Sequence, residues 1–175
     1  MTTSLSASRP QQAGAGNPPG SAAATAVIDT NVVLDLLLFR DPRVLALHQA
    51  LTNQGLRWIA TERMLDELGL VLRRACLSSW GHDSDQLMAE ARRLCQRVPN
   101  CADIGSRVPR CTDPDDQMFI DLAWRWPATL LFSRDRALLR LAGPARPQGL
   151  WIGTPERWIA PTPTDPEKRR PKPPL

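Results

Sequence analysis

The stretch from residue 26 to residue 37 constrains the fold of this chain more than any other. A short apolar run, residues 26–28, ends at the carboxylate of Asp29, and a second apolar run follows after two small polar residues. The first run suits a buried strand and the second a buried helix. An acid between them would lie at the carboxyl edge of a sheet, where open α/β sheets bind ligands. In a simpler interpretation, Asp29 only caps the helix.

The rest of the chain predicts one folded domain between two arms. Residues 1–24 are rich in Ser, Ala, Gly and Pro without hydrophobic periodicity, and residues 161–175 form a Pro-rich basic tail. Neither segment can bury enough apolar surface to offset its chain entropy, so we expect a disordered arm and a solvated tail. The tail either strengthens nucleic-acid binding or only improves solubility. Residues 25–160 have the size of a single domain, and most of the net charge of +4 lies outside them.

Apolar runs alternate with segments of helical periodicity along this domain. Strands are predicted at residues 26–28, 56–60, 129–132 and 150–152, with a short one near 101–104. Helices are predicted at residues 32–39, 41–53, 61–75, 84–98, 113–124 and 136–141, and a further one starts at 154–156. This alternation indicates an α/β fold with three layers, α/β/α, around a small, mostly parallel sheet.

The composition argues against a zinc protein and a membrane protein. None of the four cysteines lies in a CxxC pair, and the two histidines lack ligand-like spacing, so a zinc site is not expected. The chain shows no signal peptide and no apolar run of about 18 residues. We therefore expect a cytoplasmic protein without membrane contact, whose cysteines behave as small hydrophobic residues.

Four acidic residues fall where this topology would bring them together. Asp29 and Asp135 each follow a predicted strand, Asp116 heads the apolar row of a predicted helix, and Glu67 flanks the apolar side of another. Strands on either side of a topological switch point bring their carboxyl ends together. Asp29 and Asp135 should therefore face each other, with Glu67 and Asp116 close by.

Each acid also has a structural interpretation. Asp135 could merely cap the helix that follows it, and Asp116 could belong to a capped first turn. Glu67 could form an ion pair with a neighbouring arginine. Asp121 is expected to pair with Arg125, four residues further along a helix, at the surface.

Four carboxylates at one sheet edge would repel one another strongly. Two ionised carboxylates about 4 Å apart interact unfavourably by roughly 4 kcal/mol at an effective dielectric constant of about 20. A divalent cation removes this repulsion, and oxygen ligands alone select Mg²⁺ or Mn²⁺. Such a cation keeps water molecules, one of which can be activated to attack phosphorus.

Four short motifs in this order resemble the PIN domain family, and most closely its branch of toxins from toxin–antitoxin pairs (VapC-like), which a fifth, closing motif also fits. They are VIDTNV at residues 27–32, LDEL at 65–68, DPDDQMF at 113–119, LFSRDRALL at 131–139 and TPERW at 154–158. Each motif alone is common, whereas their order and spacing are fairly specific. The resemblance spans about residues 25–159, nearly the whole predicted domain.

The resemblance implies a metal-dependent ribonuclease that acts on RNA, with Mg²⁺ or Mn²⁺ as cofactor. Carried over by position, the catalytic acids are Asp29, Glu67, Asp116 and Asp135. Asp29, Asp116 and Asp135 would hold the metal, directly or through water. The residues expected to support these ligands by hydrogen bonds are Asn31 and Ser133, and those expected to contact phosphates are Arg134 and Arg136.

Two positions depart from the family pattern. The turn before Asp135 reads Ser133-Arg134, where the family usually has Thr-Gly or a similar pair. The arginine is expected to narrow the site or to hold a phosphate. Asp121 occupies a position where the family more often has a small apolar residue.

The resemblance further implies a homodimer and a cognate antitoxin protein that blocks the pocket. The alternative function is a catalytically silent RNA- or protein-binding module on the same fold, against which the presence of all four acids argues. A phosphatase with Asp29 as nucleophile would need a second aspartate two residues later, where the chain has Asn31.

Overall fold

Five parallel strands form the centre of the fold in a computed structural model that describes residues 23–74, 83–100 and 108–160. The strands are β1 (Ala24–Ile28), β2 (Leu56–Thr61), β3 (Cys95–Val98), β4 (Leu130–Phe132) and β5 (Trp151–Gly153). They pair in the order β3-β2-β1-β4-β5, and each of these pairings is parallel. The chain order runs outward in opposite directions from β1 and β4, so the topological switch point lies between these two strands.

Helices connect the strands. Those described are α1 (Thr30–Leu37), α2 (Leu45–Thr52), α3 (Glu62–Leu72), α4 (Ser84–Leu94), α5 (Gln117–Arg125), α6 (Arg136–Leu139) and α7 (Ala142–Ala145). Single 3-10 turns occur at Pro42–Val44, Arg146–Gln148 and Pro155–Arg157. Because right-handed crossovers that travel in opposite directions along a sheet place their helices on opposite faces, the helices flank the sheet on both sides. The fold is therefore the three-layer α/β/α arrangement predicted from the sequence.

Burial of apolar side chains holds the strand ends in place. Phe132, at the end of β4, is fully buried, and burial of such a side chain contributes about 1.5–3 kcal/mol. Its ring meets Trp151 edge-on at a centroid distance of 5.6 Å and Trp158 at 5.4 Å. These contacts join β4, β5 and the segment after β5, and so fix the point at which the chain leaves β4.

The helix predicted at residues 84–98 is wrong at its C-terminal end. α4 ends at Leu94, and Cys95–Val98 forms the edge strand β3. Cys95 pairs with Trp58 and Val98 with Thr61 in parallel register, and Val98 is buried. Backbone pairing with β2 therefore outweighs the helical periodicity of this segment. The short strand expected near residues 101–104 lies outside the described residues.

Other helix boundaries also differ from the prediction. The helix predicted to start at Asp113 begins at Gln117, because the Asp113 carboxylate accepts a hydrogen bond of 3.0 Å from the Asp115 amide and closes a turn instead. The predicted helix at residues 41–53 is divided into a 3-10 turn and α2. The capped start at residues 154–156 is only a 3-10 turn.

The described part of the chain contains no helix long and apolar enough to cross a membrane. The predicted N-terminal arm, apart from its last two residues, and the predicted C-terminal tail lie outside the described residues.

Candidate functional site

Asp29 and Ser133 face each other where β1 and β4 end. Ile28 pairs with Phe132, and the Asp29 amide continues the ladder by donating a hydrogen bond of 2.9 Å to the Phe132 carbonyl. The Ser133 hydroxyl donates to Asp29 Oδ2 at 2.7 Å, and both residues are buried. The Asp29 side chain makes no capping hydrogen bond, although the residue stands at the N-cap position of α1. Strand register therefore positions this carboxylate.

Asp135 is joined to the same hydroxyl. Its amide donates a hydrogen bond of 2.9 Å to Ser133 Oγ, and its carboxylate accepts one from the Ala137 amide at the start of α6. Asp135 thus caps α6, as its structural interpretation predicted. Its negative charge also acts on Asp29, whose pKa is raised mainly by burial, against the lowering effect of the Ser133 hydroxyl and nearby amides.

Asp116 is the most strongly perturbed acid of the group. It stands at the N-cap position of α5, where its side chain accepts no capping hydrogen bond, and it is partly buried. Burial raises its pKa to about 7, with further contributions from the charges of Asp29 and Asp135. Asp116 therefore lies within electrostatic reach of both acids at the strand ends.

Glu67 approaches the site from α3. Its side chain is partly buried, and burial followed by the charge of Asp29 raises its pKa. Within the described residues, Glu67 forms no ion pair with an arginine. The ion pair that would have given this residue a purely structural role is therefore not seen there. Four acids that are far apart in the sequence thus share one neighbourhood at the carboxyl edge of the sheet.

The chemistry of this group fits a hard divalent cation. Within residues 23–74, 83–100 and 108–160, no three His, Cys, Asp or Glu side chains are grouped closely enough to hold a metal ion together. Mg²⁺, however, commonly takes one or two carboxylates and completes its shell with water. Carboxylates whose pKa is raised by burial and like charge are stabilised by a bound cation.

The remaining predicted residues occupy different surroundings. Asn31 is exposed at the start of α1, and its side chain forms no hydrogen bond with another described residue. Arg136 is exposed at the start of α6, next to Asp135. The support of the metal ligands by Asn31 and the phosphate contact of Arg136 remain proposals.

Arg134 is held by two carboxylates. Its Nε donates to Asp35 Oδ2 at 2.6 Å, and its Nη1 pairs with Glu156. Arg43, which binds Asp41, approaches the same Glu156 oxygen at 3.8 Å. Arg134 thereby ties the turn that carries Ser133 and Asp135 to α1 and to the 3-10 turn after β5.

Sequence reasoning missed the two partners of Arg134. Asp35 is the one charged residue inside the otherwise apolar α1, which is a signal that it needs a partner. Glu156 lies in the first turn of the 3-10 helix after β5, where the favourable interaction of an acid with the helix dipole already accounts for it. Only the tertiary fold brings the two acids to one guanidinium group.

Comparison with known proteins adds one finding to this geometry. A family model described as PIN domain matches residues 25–137. The matched stretch begins within β1 and ends in α6, so it contains Asp29, Glu67, Asp116 and Asp135. A search among curated proteins gave no match.

Proposed function

This chain belongs to the PIN domain family, whose members are generally metal-dependent nucleases, and we propose that it is an endoribonuclease that uses Mg²⁺ or Mn²⁺ to cleave RNA phosphodiester bonds. One observation carries the proposal: the Ser133 hydroxyl joins Asp29 to Asp135 at the strand ends, and the partly buried Asp116 lies close enough for burial and the charges of these two acids to raise its pKa to about 7. Such a group of acids is unfavourable for a structural role alone and favourable for binding a cation.

We assign the cation to Asp29, Asp116 and Asp135, directly or through water, with Glu67 completing the pocket. When bound, the cation would stabilise negative charge on the phosphoryl group and lower the pKa of an attacking water molecule. The Ser133 hydroxyl keeps the Asp29 carboxylate in one orientation, and the Ala137 amide does the same for Asp135. Their fixed orientation limits the reorganisation needed during the reaction.

The remaining polar residues are assigned to proton transfer, to phosphate binding and to support of the site. Glu67, whose pKa is raised by burial and the charge of Asp29, is assigned to proton exchange with the attacking water. Arg136, exposed beside Asp135, is assigned to a backbone phosphate of the RNA. Arg134 is already engaged with Asp35 and Glu156, so we assign it to holding the turn between Ser133 and Asp135.

We further propose that the protein is a homodimeric cytoplasmic toxin of a toxin–antitoxin pair, controlled by an antitoxin protein that covers the acids. The motifs of the toxin branch, from VIDTNV to TPERW, support this part of the proposal. Light scattering of the purified chain would test the dimer. Co-purification with the product of an adjacent reading frame, together with loss of ribonuclease activity in the complex, would test the antitoxin.

Cleavage of RNA by the purified chain tests the enzymatic proposal. We expect Mg²⁺ or Mn²⁺ to be required, and Asp29→Asn or Asp116→Asn to reduce the rate by about 100-fold or more. Asp66→Asn is the matched control, because Asp66 is exposed on α3 next to Glu67. Equal cleavage in excess EDTA, or by the Asp29 and Asp116 variants, would rule the proposal out. RNA binding without cleavage in either metal would indicate a catalytically silent binding module instead.

A further inference from the structure

A cleft of about 430 Å³ opens at the same edge of the sheet as the acids. Thr61, at its wall, ends β2, which runs parallel to β1 and leads to the same edge as Asp29. Pro114 and Gln117, which flank Asp116 in the sequence, also line it. The described lining includes none of the four acids, but Gln117 directly follows Asp116, so the cleft lies next to the candidate site.

Two arginines give the cleft a positive side. Arg63, in the first turn of α3, and Arg110 both line it, and both are exposed. Arginine donates in a planar fork that suits phosphate oxygens. A groove of this kind, placed next to the acids, matches the backbone of a nucleic-acid strand that continues past the scissile bond.

Asp121, a carboxylate in the lining of the cleft, gives the cleft a means of recognising a base. Gln117 donates from Nε2 to Asp121 Oδ1 at 2.9 Å, and its own Oε1 accepts a hydrogen bond of 2.7 Å from the Cys111 amide. Asp121 thus pairs with Gln117, and the surface ion pair predicted with Arg125 is absent from the described residues. Among the described residues none donates a hydrogen bond to Asp121 Oδ2, and we assign this oxygen to the ligand.

We propose that this cleft binds the nucleotide next to the scissile phosphodiester, with Arg63 on its phosphates and Asp121 accepting a hydrogen bond from the amino group of its base. A carboxylate oxygen suits the N4 amino group of cytosine and repels the O4 carbonyl oxygen of uracil. The cleft should therefore favour cytosine over uracil. This inference rests on the proposed ribonuclease function for its substrate.

Binding of short single-stranded RNA tests the inference without any cleavage. The probes are fluorescent oligocytidine and oligouridine of equal length, and the protein is the Asp29→Asn variant in EDTA, followed by fluorescence anisotropy. We expect tighter binding of oligocytidine. Arg63→Met should weaken both probes several-fold and reduce the salt dependence by about one phosphate contact.

The Asp121→Asn substitution tests the base contact. Asparagine keeps an oxygen for Gln117 but can also donate to uracil, so the preference for oligocytidine should disappear while the protein stays folded. Arg57→Met and Asp66→Asn are the matched controls, because Arg57 is exposed on β2 away from this edge and Asp66 is exposed on α3. Neither control should change either affinity.

Unchanged affinities for both probes in Arg63→Met and Asp121→Asn would overturn the inference, as would the absence of RNA binding. Cleavage assays keep its failure separate from failure of the proposed function. A protein that cuts RNA but ignores both substitutions lacks the proposed base-reading cleft. A protein that binds oligocytidine through Asp121 but never cuts RNA has the cleft and lacks the nuclease activity.

Discussion

The hydroxyl of Ser133 donates a hydrogen bond of 2.7 Å to the carboxylate of Asp29, across the junction of β1 and β4. The two residues are 104 positions apart in the sequence, and both are almost completely buried. The same hydroxyl accepts a hydrogen bond from the Asp135 amide. One serine therefore sets the distance between two of the acids at the proposed metal site.

Ser133→Ala should weaken both the metal site and the fold. The substitution removes the side-chain donor of a buried carboxylate, which we expect to cost about 1–3 kcal/mol in the free energy of unfolding. Loss of a group that orients a metal ligand typically lowers metal affinity or activity by about 10- to 100-fold. Mg²⁺ titration of the cleavage rate measures this effect. Ser84→Ala, at the start of α4, is the control, and identical Mg²⁺ dependence in both variants would refute the role of Ser133.

Asp116 should make the metal-free protein less stable as the pH rises. Its pKa is about 7 in the folded chain against an ordinary value of 3.8, so folding favours its protonated form. Its contribution to stability is then complete below about pH 4 and is lost as the pH rises towards 7. In EDTA, the melting temperature of the wild type should fall over this range relative to that of Asp116→Asn.

Mg²⁺ provides the complementary measurement for Asp116. A cation competes with the proton for the carboxylate, so Mg²⁺ should raise the melting temperature of the wild type more at about pH 7.5 than at about pH 5. The rise should be small or absent in Asp116→Asn at both values. A melting-temperature difference between the two proteins that stays constant with pH would contradict the assignment.

Arg134 should act on the catalytic rate and on stability, and little on RNA affinity. Arg134→Met removes the hydrogen bonds to Asp35 and Glu156, which we expect to cost about 1–3 kcal/mol in the free energy of unfolding. Because the turn between Ser133 and Asp135 loses its tie to α1, kcat should fall while KM changes little. A phosphate contact would instead raise KM and the sensitivity to salt.

Two further variants control the Arg134 experiment. Arg134→Lys keeps the charge but lacks the planar fork that reaches both acids, so it should recover only part of the stability. Arg43→Met removes an arginine whose side chain is 63% exposed and whose Nε lies 3.8 Å from Glu156 Oε1, a loose ion pair. This variant should leave the free energy of unfolding nearly unchanged. If Arg134→Met raised KM alone, we would abandon its role in holding the turn.

Gly153→Ala should destabilise the end of β5. A Cβ atom there would lie 2.5 Å from the ring of Trp151, which contacts Phe132 in turn, so the ring must move at an expected cost of about 1–3 kcal/mol. The Gly153 carbonyl also accepts a hydrogen bond from the Ser133 amide, and ribonuclease activity should therefore fall as well. Gly143→Ala, in α7 with no atom close to the new Cβ, should be neutral or slightly stabilising. Equal melting temperatures for the two variants would contradict this prediction.

The architecture could be predicted because its signals are local. The apolar run before Asp29 and the one before Ser133 each have the length of a buried strand and end in polar residues, which places both at one sheet edge. The predicted meeting of Asp29 and Asp135 follows from that topology alone. The exact partner of Asp29, the Ser133 hydroxyl, depends on register, which the sequence does not specify at single-residue resolution.

Features that depend on tertiary pairing could not be predicted. The strand at Cys95–Val98 exposes Gln96 and Arg97 and continues a helical pattern, and only pairing with β2 makes it a strand. Asp35 reaches Arg134 across 99 residues. Asp121 has two candidate partners four residues away, and charge favours Arg125. Gln117 pairs with it instead, held in place by the Cys111 amide and the Pro109 carbonyl of the preceding loop.

Calorimetric titration with Mn²⁺ and Mg²⁺ tests most directly whether the acids bind a metal. The proteins are the wild type, the double variant Asp29→Asn/Asp116→Asn and the exposed control Asp66→Asn, each shown to be folded by circular dichroism. We predict one saturable site in the wild type and in Asp66→Asn, and none in the double variant. Equal binding by all three folded proteins, or no binding by the wild type, would contradict a metal centre formed by Asp29, Asp116 and Asp135.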